Sequence, residues 1–180
     1  MASGKTARTD IESILEKNVG GYLDRLISDY GVLKVVKPIF SKPQGKIQKY
    51  EIADHFLRFW FRFVFKYKSA VEINNFDYLK SVFARDFKTF SGKILEQWFV
   101  EKMKLSNQYT QIGNYWERKG NEIDIVALDD RNKEISFVEV KISKQNLKSM
   151  ELKAKSEKLI QKFPQYHVHY QLLSLEDMLA

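Results

Sequence analysis

The chain has 180 residues, no cysteine and a formal net charge of +7, which excludes a disulfide framework and any thiolate metal site or nucleophile. It has no apolar run long enough to span a bilayer and no signal-peptide core, so we expect a cytoplasmic protein without a membrane partner. Residues 1–68 carry 13 Lys and Arg against 7 Asp and Glu, whereas residues 69–180 carry 17 against 16. The basic N-terminal third indicates either a polyanion partner such as DNA or a surface kept soluble by lysine.

Residues 9–52 have the pattern of two helices followed by a β-hairpin. Thr9 or Asp10 is predicted to cap the first helix. The second begins near Gly20 and ends at Gly31, a residue suited to a helix C-terminus. The apolar positions expected to face the core are Ile11, Ile14 and Leu15 in the first helix, and Tyr22, Leu23, Leu26 and Ile27 in the second.

The β-branched "VLKVVKPIF" and the alternating "KIQKYEI" predict two strands joined by the turn "SKPQGK". Two helices and a hairpin are the order of a winged helix, so residues 1–53 are predicted to form one. In DNA-binding versions basic side chains contact phosphates. The candidate nucleic-acid-binding residues of this hairpin are Lys37, Lys42, Lys46 and Lys49. The alternative is a winged helix used only for packing against protein.

The stretch "SGKT" at residues 3–6 resembles the end of a phosphate-binding loop. The complete motif needs a glycine five residues before the Gly-Lys pair and a strand ahead of it. Only three residues precede Gly4, so we do not expect this chain to bind ATP.

Residues 54–90 are predicted to be a helical connector. Asp54 can cap a helix through "HFLRFWFRFVFKYK". Its aromatic side chains recur at three- and four-residue steps, which predicts core packing, beside a stripe of basic residues. The aromatic positions are Phe56, Phe59, Trp60, Phe63 and Tyr67, and the basic ones are Arg58, Arg62 and Lys66. The following residues, 76–105, are predicted to form two helices broken near residues 90–92.

Residues 91–180 have the order helix, three strands, helix, strand. The strands are expected at residues 109–116, 122–128, 134–142 and from 167 onward, with a lysine-rich helix over 144–163. A strand–helix–strand crossover implies a parallel pair of neighbours. The sequence therefore predicts an α/β (α+β) fold whose C-terminal domain contains a central mixed four-stranded sheet.

Three charged residues interrupt the apolar strands. Glu139 and Lys141 are two residues apart and share a face, and alternation places Asp124 on the same side as Val126 and Leu128. If the strands pair, the three charged groups meet. Two carboxylates suit Mg²⁺, and the lysine can hold water or stabilise charge developing on a phosphoryl group. The alternative is an ordinary ion pair on an exposed sheet face.

The pattern "EIDIVAL…FVEVK" resembles the PD-(D/E)XK nuclease superfamily, the fold of restriction enzymes and archaeal Holliday junction resolvases. Asp124, Glu139 and Lys141 match its Asp and Glu-x-Lys, Glu96 matches a carboxylate on its first helix, and Ile123 replaces the proline. The resemblance implies cleavage of DNA phosphodiesters with Mg²⁺ or Mn²⁺. Asp124 and Glu139 would bind the metal, Lys141 would act on the attacking water and Glu96 would support the site.

Three further blocks, "VGGYLDRLISDYGVLKVVKPIF", "YEIADHFLRFWFRFVFKYKSAVE" and "GNYWERKGNEIDIVALDD", resemble the C-terminal region of a family of prokaryotic AAA-type ATPases. Its members carry a P-loop domain, a winged helix and a PD-(D/E)XK-like domain called domain of unknown function 234. The resemblance implies DNA and the N-terminal ATPase domain of the same parent protein as partners. The alternative is an inactive nuclease fold that gives the ATPase a DNA- or protein-binding module.

Overall fold

The computed structural model describes residues 1–2, 4–118 and 120–178, so Ser3 of the "SGKT" stretch lies outside the described residues. The chain forms two compact units, which are described separately below. The first comprises Met1–Lys37 and Lys42–Asp86, and the second comprises Pro38–Ser41 and Phe87–Ala180. No helix in the described part of the chain has the length and apolar character needed to cross a membrane.

The first unit begins with two helices and an antiparallel hairpin, as predicted. These are α1 (Arg8–Leu15), α2 (Gly20–Ser28), β1 (Leu33–Val36) and β2 (Lys49–Ile52). The predicted cap of α1 is wrong, because Ala7 occupies the N-cap position and its side chain accepts no hydrogen bond from the helix. Thr9 and Asp10 lie inside the first turn. The negative charge of the Asp10 carboxylate there interacts favourably with the positive end of the helix dipole. Gly31 follows α2 with a φ of +60°, the left-handed conformation that glycine adopts without strain.

The core of this unit joins the first helices to the hairpin. Its buried members are Ile11, Val19, Leu23, Leu33, Tyr50 and Ile52, with Leu26 and Ile27 packed against them. The predicted core positions Ile14, Leu15 and Tyr22 are exposed. Each short helix therefore buries a narrower stripe than its apolar pattern suggests.

The connection between β1 and β2 contains a tight turn and a segment that belongs to the second unit. The turn is closed by the Gly45 N–H, which donates to the Lys42 carbonyl at 2.8 Å. The segment Pro38–Ser41 packs in the second unit instead. There the Ile39 N–H donates to the Asn114 carbonyl at 2.8 Å, and the Phe40 ring centroid lies 5.0 Å from that of Phe163.

The aromatic segment after β2 is not the single regular helix that its spacing predicts. Asp54 caps it as expected, since its carboxylate accepts the Leu57 N–H at 2.8 Å. The helix then changes type along its length: α3 (His55–Phe59), a π-helical turn (Trp60–Val64), a 3₁₀ turn (Phe65–Tyr67) and α4 (Lys68–Glu72).

Each change of helical type rotates the side chains that follow, so three- and four-residue steps no longer define one face. Phe63 is buried, but Phe56 is 66% exposed, and Phe59 and Trp60 are also exposed. The prediction that this aromatic set forms a core is therefore wrong for those three residues.

The predicted basic stripe on this segment is also wrong for Arg58 and Arg62, whereas Lys66 is exposed. Arg58 is buried and donates to the Ile52 carbonyl at 3.1 Å. The Arg62 guanidinium lies 3.1 Å from the Asp86 carboxylate. Both guanidinium groups satisfy internal acceptors of the first unit instead of facing solvent as a stripe.

A single 30-residue helix, α5 (Phe76–Leu105), replaces the two helices predicted for this region. The Ser91 hydroxyl donates to the Phe87 carbonyl at 2.7 Å, a bond within the helix. A Cβ at Gly92 would meet no atom of a neighbouring element within 4 Å, so no close packing requires a glycine there. One glycine costs about 1 kcal/mol relative to alanine in a helix, which the packing of the later turns outweighs.

The second unit contains the mixed four-stranded sheet that the sequence predicts. Its elements after α5 are β3 (Gln111–Trp116), β4 (Glu122–Asp129), β5 (Glu134–Lys141), α6 (Ser149–Ile160) and β6 (His167–Ser174). The strand order is β3-β4-β5-β6; the first three strands are antiparallel and β6 is parallel to β5. The crossover through α6 produces the expected parallel pair.

Helices cover both faces of this sheet. Leu152 and Leu159 of α6 pack in a buried cluster with Val126 and Phe137. On the other face, α5 contributes a second buried cluster that contains Leu95, Phe99, Ile125, Val138 and Val140. The result is a mixed α/β architecture of three layers in which β4 and β5 are buried on both sides.

Candidate active site

A β-bulge in β4 shapes the site. Gly113 of β3 lies opposite Val126, but Tyr115 lies opposite Ile123. One residue of β3, Asn114, therefore faces two residues of β4, Asp124 and Ile125. Bulges of this kind redirect side chains and often lie beside active sites.

The bulge changes the side on which Asp124 was expected. Alternation groups Asp124 with Val126 and Leu128, but Ile123 occupies the buried cluster with those residues. The Asp124 carboxylate instead reaches β5, where its Oδ2 accepts the Val140 N–H at 2.8 Å. A side chain thus takes a main-chain donor of β5 at the point where β4 leaves regular pairing.

Lys141 bridges the two carboxylates of the site. Its Nζ lies 2.6 Å from Glu139 Oε1 and 3.2 Å from Asp124 Oδ2. Glu139 is only 5% exposed, while the Lys141 side chain is 37% exposed. Burial lowers the pKa of Lys141, but its pairs with Glu139 and Asp124 outweigh that effect and leave the pKa raised. The amine is therefore a protonated hydrogen-bond donor at neutral pH.

Burial also shifts the carboxylic acids toward their neutral forms. Desolvation raises the pKa of Asp124, and the charge of Glu139 raises it further. The hydrogen bond from the Val140 N–H and the Lys141 ammonium group lower it, but they do not offset the rise. On α5, burial raises the pKa of Glu96 to about 7, with Lys93 opposing the shift and Asp124 adding to it. Asp124 and Glu96 are thus electrostatically coupled across two elements.

Glu96 is coupled to the site but is not joined to it by a hydrogen bond. Its Oε2 accepts from Lys93 Nζ of the same helix at 2.7 Å. The structure therefore brings Lys141 into direct contact with Asp124 and Glu139, whereas Glu96 pairs with Lys93 of its own helix.

Sequence reasoning missed Lys155 of α6, whose Nζ lies 3.3 Å and 3.4 Å from the two oxygens of Glu139. A signal was present, because Lys155 follows Leu152 by three residues and precedes Leu159 by four. It therefore lies on the buried stripe of α6, whereas most other lysines of this helix do not. Reasoning also missed Asn114, whose amide donates to the Asp124 carbonyl at 2.5 Å.

The donor set offers two carboxylates to a cation. Among residues 1–2, 4–118 and 120–178, no cluster of three or more His, Cys, Asp or Glu residues could hold a metal ion. Mg²⁺ often binds through only one or two carboxylates together with water and substrate phosphate. Asp124 and Glu139, already bridged by one ammonium group, fit that mode of binding in number and chemistry.

The lysines predicted to contact DNA belong to the first unit. Lys37, Lys42 and Lys46 are exposed and Lys49 is half-buried. The Lys37 ammonium donates a hydrogen bond to the Pro43 carbonyl, which lies in the connection between β1 and β2.

Comparison with known proteins connects the chain to one family. Residues 60–163 match the family DUF234, described as archaeal and bacterial proteins of unknown function. The chain is also 34% identical over 127 residues to the uncharacterized protein MJECL04 of Methanocaldococcus jannaschii, covering 67% of this chain and 28% of that protein.

This chain thus spans less than a third of the length of that relative. No solved structure matches it significantly. The matched residues begin at the π-helical turn and end three residues beyond α6, so they include Asp124, Glu139, Lys141 and Lys155. The chain belongs to the DUF234 family of archaeal and bacterial proteins.

Proposed function

We propose that the second unit is a PD-(D/E)XK-like nuclease domain that cleaves DNA phosphodiesters with Mg²⁺ or Mn²⁺. One observation carries the proposal: the Lys141 ammonium bridges Glu139 and Asp124 at 2.6 and 3.2 Å, on neighbouring strands. Burying the Glu139 carboxylate is unfavourable unless its charge is compensated. A partly exposed lysine at that point leaves the cluster within reach of solvent and of a phosphate group.

In this proposal each residue has a distinct role. Asp124 and Glu139 hold the cation, which when bound supplies positive charge to a phosphoryl oxygen. Lys141 donates a hydrogen bond to the attacking water or to a charged oxygen, since its raised pKa makes it a poor base. Glu96 supports the site from α5, where its charge is coupled to that of Asp124 and burial raises its pKa to about 7.

We further propose that the first unit is a winged helix and that it binds DNA through the lysines of its hairpin. The order of two helices and a hairpin supports this, as does the exposure of Lys37, Lys42 and Lys46. The resemblance to AAA-type ATPases supports a parent protein with an N-terminal ATPase domain. In that arrangement ATP binds the other domain.

A second candidate function is a nuclease fold that binds DNA or protein without cutting. This function is favoured because the carboxylates already have lysine partners. Lys93 pairs with Glu96, and both Lys141 and Lys155 pair with Glu139. Such a network is already neutralised without a metal ion. The same pairs would then serve only to stabilise the sheet and its two helices.

A cleavage assay separates the two functions. Purified protein is incubated with linear and branched DNA in Mg²⁺ or Mn²⁺, alongside Asp124→Ala, Lys141→Met and a control, Lys104→Met, at an exposed lysine of α5. We expect cutting by wild type and the control, and rates at least about a hundredfold lower in the two site variants. Wild-type protein that binds every DNA form and cuts none would establish the binding function instead.

A further inference from the structure

We propose that Asn114 is a positioning residue that fixes the orientation of Asp124, and that residues 38–41 hold Asn114 in place. The inference rests on the proposed function, in which Asp124 is a metal ligand. It adds a residue of β3, outside the Asp and Glu-x-Lys pattern, to the groups on which the site depends.

The first observation is the bulge. Where Asn114 faces Asp124 and Ile125, the regular ladder between β3 and β4 is interrupted. The Asn114 side-chain amide donates to the Asp124 carbonyl at 2.5 Å, in a partly buried setting. A side chain therefore supplies the donor that regular pairing would provide. An amide has the N–H needed for this bond, which the carboxylate of aspartate lacks.

The second observation concerns the opposite end of the same residue. β3 is an edge strand of the four-stranded sheet, so within the described residues no further strand pairs with its outer main-chain groups. The Asn114 carbonyl instead accepts the Ile39 N–H at 2.8 Å. A Cβ added to Gly113 would lie 3.5 Å from the Ile39 Cβ, which shows how closely the segment packs there. Asn114 is thus held by the 38–41 segment on one side and holds Asp124 on the other.

These bonds form a continuous path to the carboxylate. Ile39 binds Asn114, Asn114 binds the main chain of Asp124, and the Asp124 carboxylate accepts the Val140 N–H at 2.8 Å. Loss of the Asn114 amide would free the bulge and let the carboxylate leave the Val140 N–H. Outer residues that orient a ligand in this way typically change metal affinity by about 10- to 100-fold when they are replaced.

The test uses Asn114→Asp, which keeps the shape of the side chain and removes the donor at pH 7.5. Asn107→Asp, at an exposed asparagine between α5 and β3, is the matched control. Amide hydrogen exchange measured by NMR reports the Val140 N–H, with the Val138 N–H of the same strand as reference. We expect Val140 protection to fall at least about tenfold relative to Val138, and the Mn²⁺ dissociation constant to rise about 10- to 100-fold.

Unchanged Val140 protection in the folded variant would overturn the inference, whatever the metal result. If Asn114→Asp does not fold, Asn114→Ser replaces it, because serine is smaller and its hydroxyl is too short to reach the same acceptor. Wild-type protein without Mn²⁺ binding would contradict the proposed function, while the Val140 exchange rates would still decide whether Asn114 positions Asp124.

Discussion

The second unit of the wild-type protein should lose stability as the pH rises, and replacing Glu96 by glutamine should remove most of that loss. Burial raises the pKa of this carboxyl to about 7, from the ordinary glutamic acid value of about 4.5. Between these two pH values the folded chain keeps a proton on Glu96 that the unfolded chain has released. The resulting stabilisation is complete below about pH 4.5 and is lost as the pH rises through 7.

The size of the effect follows from the pKa difference. Each pKa unit corresponds to 1.36 kcal/mol, so the displacement of Glu96 amounts to about 3 kcal/mol of unfolding free energy between pH 4 and pH 8. The Glu96 side chain is 18% exposed, so screening by solvent reduces this value only modestly. Wild-type protein should therefore lose about 3 kcal/mol more than Glu96→Gln over this pH range.

Urea unfolding at several pH values measures this difference. The chain contains three tryptophans. A Trp60→Phe background leaves Trp98 and Trp116, both in the second unit, as fluorescence reporters. Glu101→Gln is the control, because it removes an exposed carboxylate of the same helix. Parallel pH profiles for wild type and Glu96→Gln would show that Glu96 does not cause the loss of stability, as would an equal change in Glu101→Gln.

Two other predictions follow from the lysines. Lys141→Met should lower stability by about 1 kcal/mol at pH 7 in chemical unfolding, a value reduced by the exposure of the ammonium group and by the remaining pair between Lys155 and Glu139. The loss should shrink at pH 4, because burial raises the pKa of Asp124 and the carboxylate then carries less negative charge to compensate. An equal loss at both pH values would contradict this. Neutralising Lys42, Lys46 and Lys49 together should weaken DNA binding and flatten its log–log salt dependence by about 0.9 for each lost phosphate contact; an unchanged slope would assign these lysines to solubility.

The second unit was predictable because its signals are local and strong. β4 and β5 are apolar runs separated by a polar turn, and the crossover through α6 leaves little choice of topology. The contact between Glu139 and Lys141 follows from their two-residue spacing along β5. Their contact with Asp124 required that β4 and β5 pair, which two neighbouring strands joined by a short turn usually do. It also depended on the bulge opposite Asn114, which turns Asp124 toward β5.

Other features depend on information that periodicity does not contain. Periodicity predicts one regular helix after β2 with Phe56 and Trp60 in its core, but both residues are exposed and the helix becomes a π-helical turn from Trp60 onward. The bulge opposite Asn114 breaks alternation in β4 and turns Asp124 toward Val140. Both arise from tertiary packing that overrides the local pattern, which is why the charged residues were found but their hydrogen bonds were not.

Calorimetric titration with Mn²⁺ tests the central claim, that Asp124 and Glu139 form a metal site, more directly than any other measurement. Wild-type protein is compared with the Asp124→Ala/Glu139→Ala double variant, with circular dichroism to verify that both are folded. We expect saturable heat for wild type and none for the double variant. Equal heats for the two folded proteins, or no binding by wild type, would contradict it.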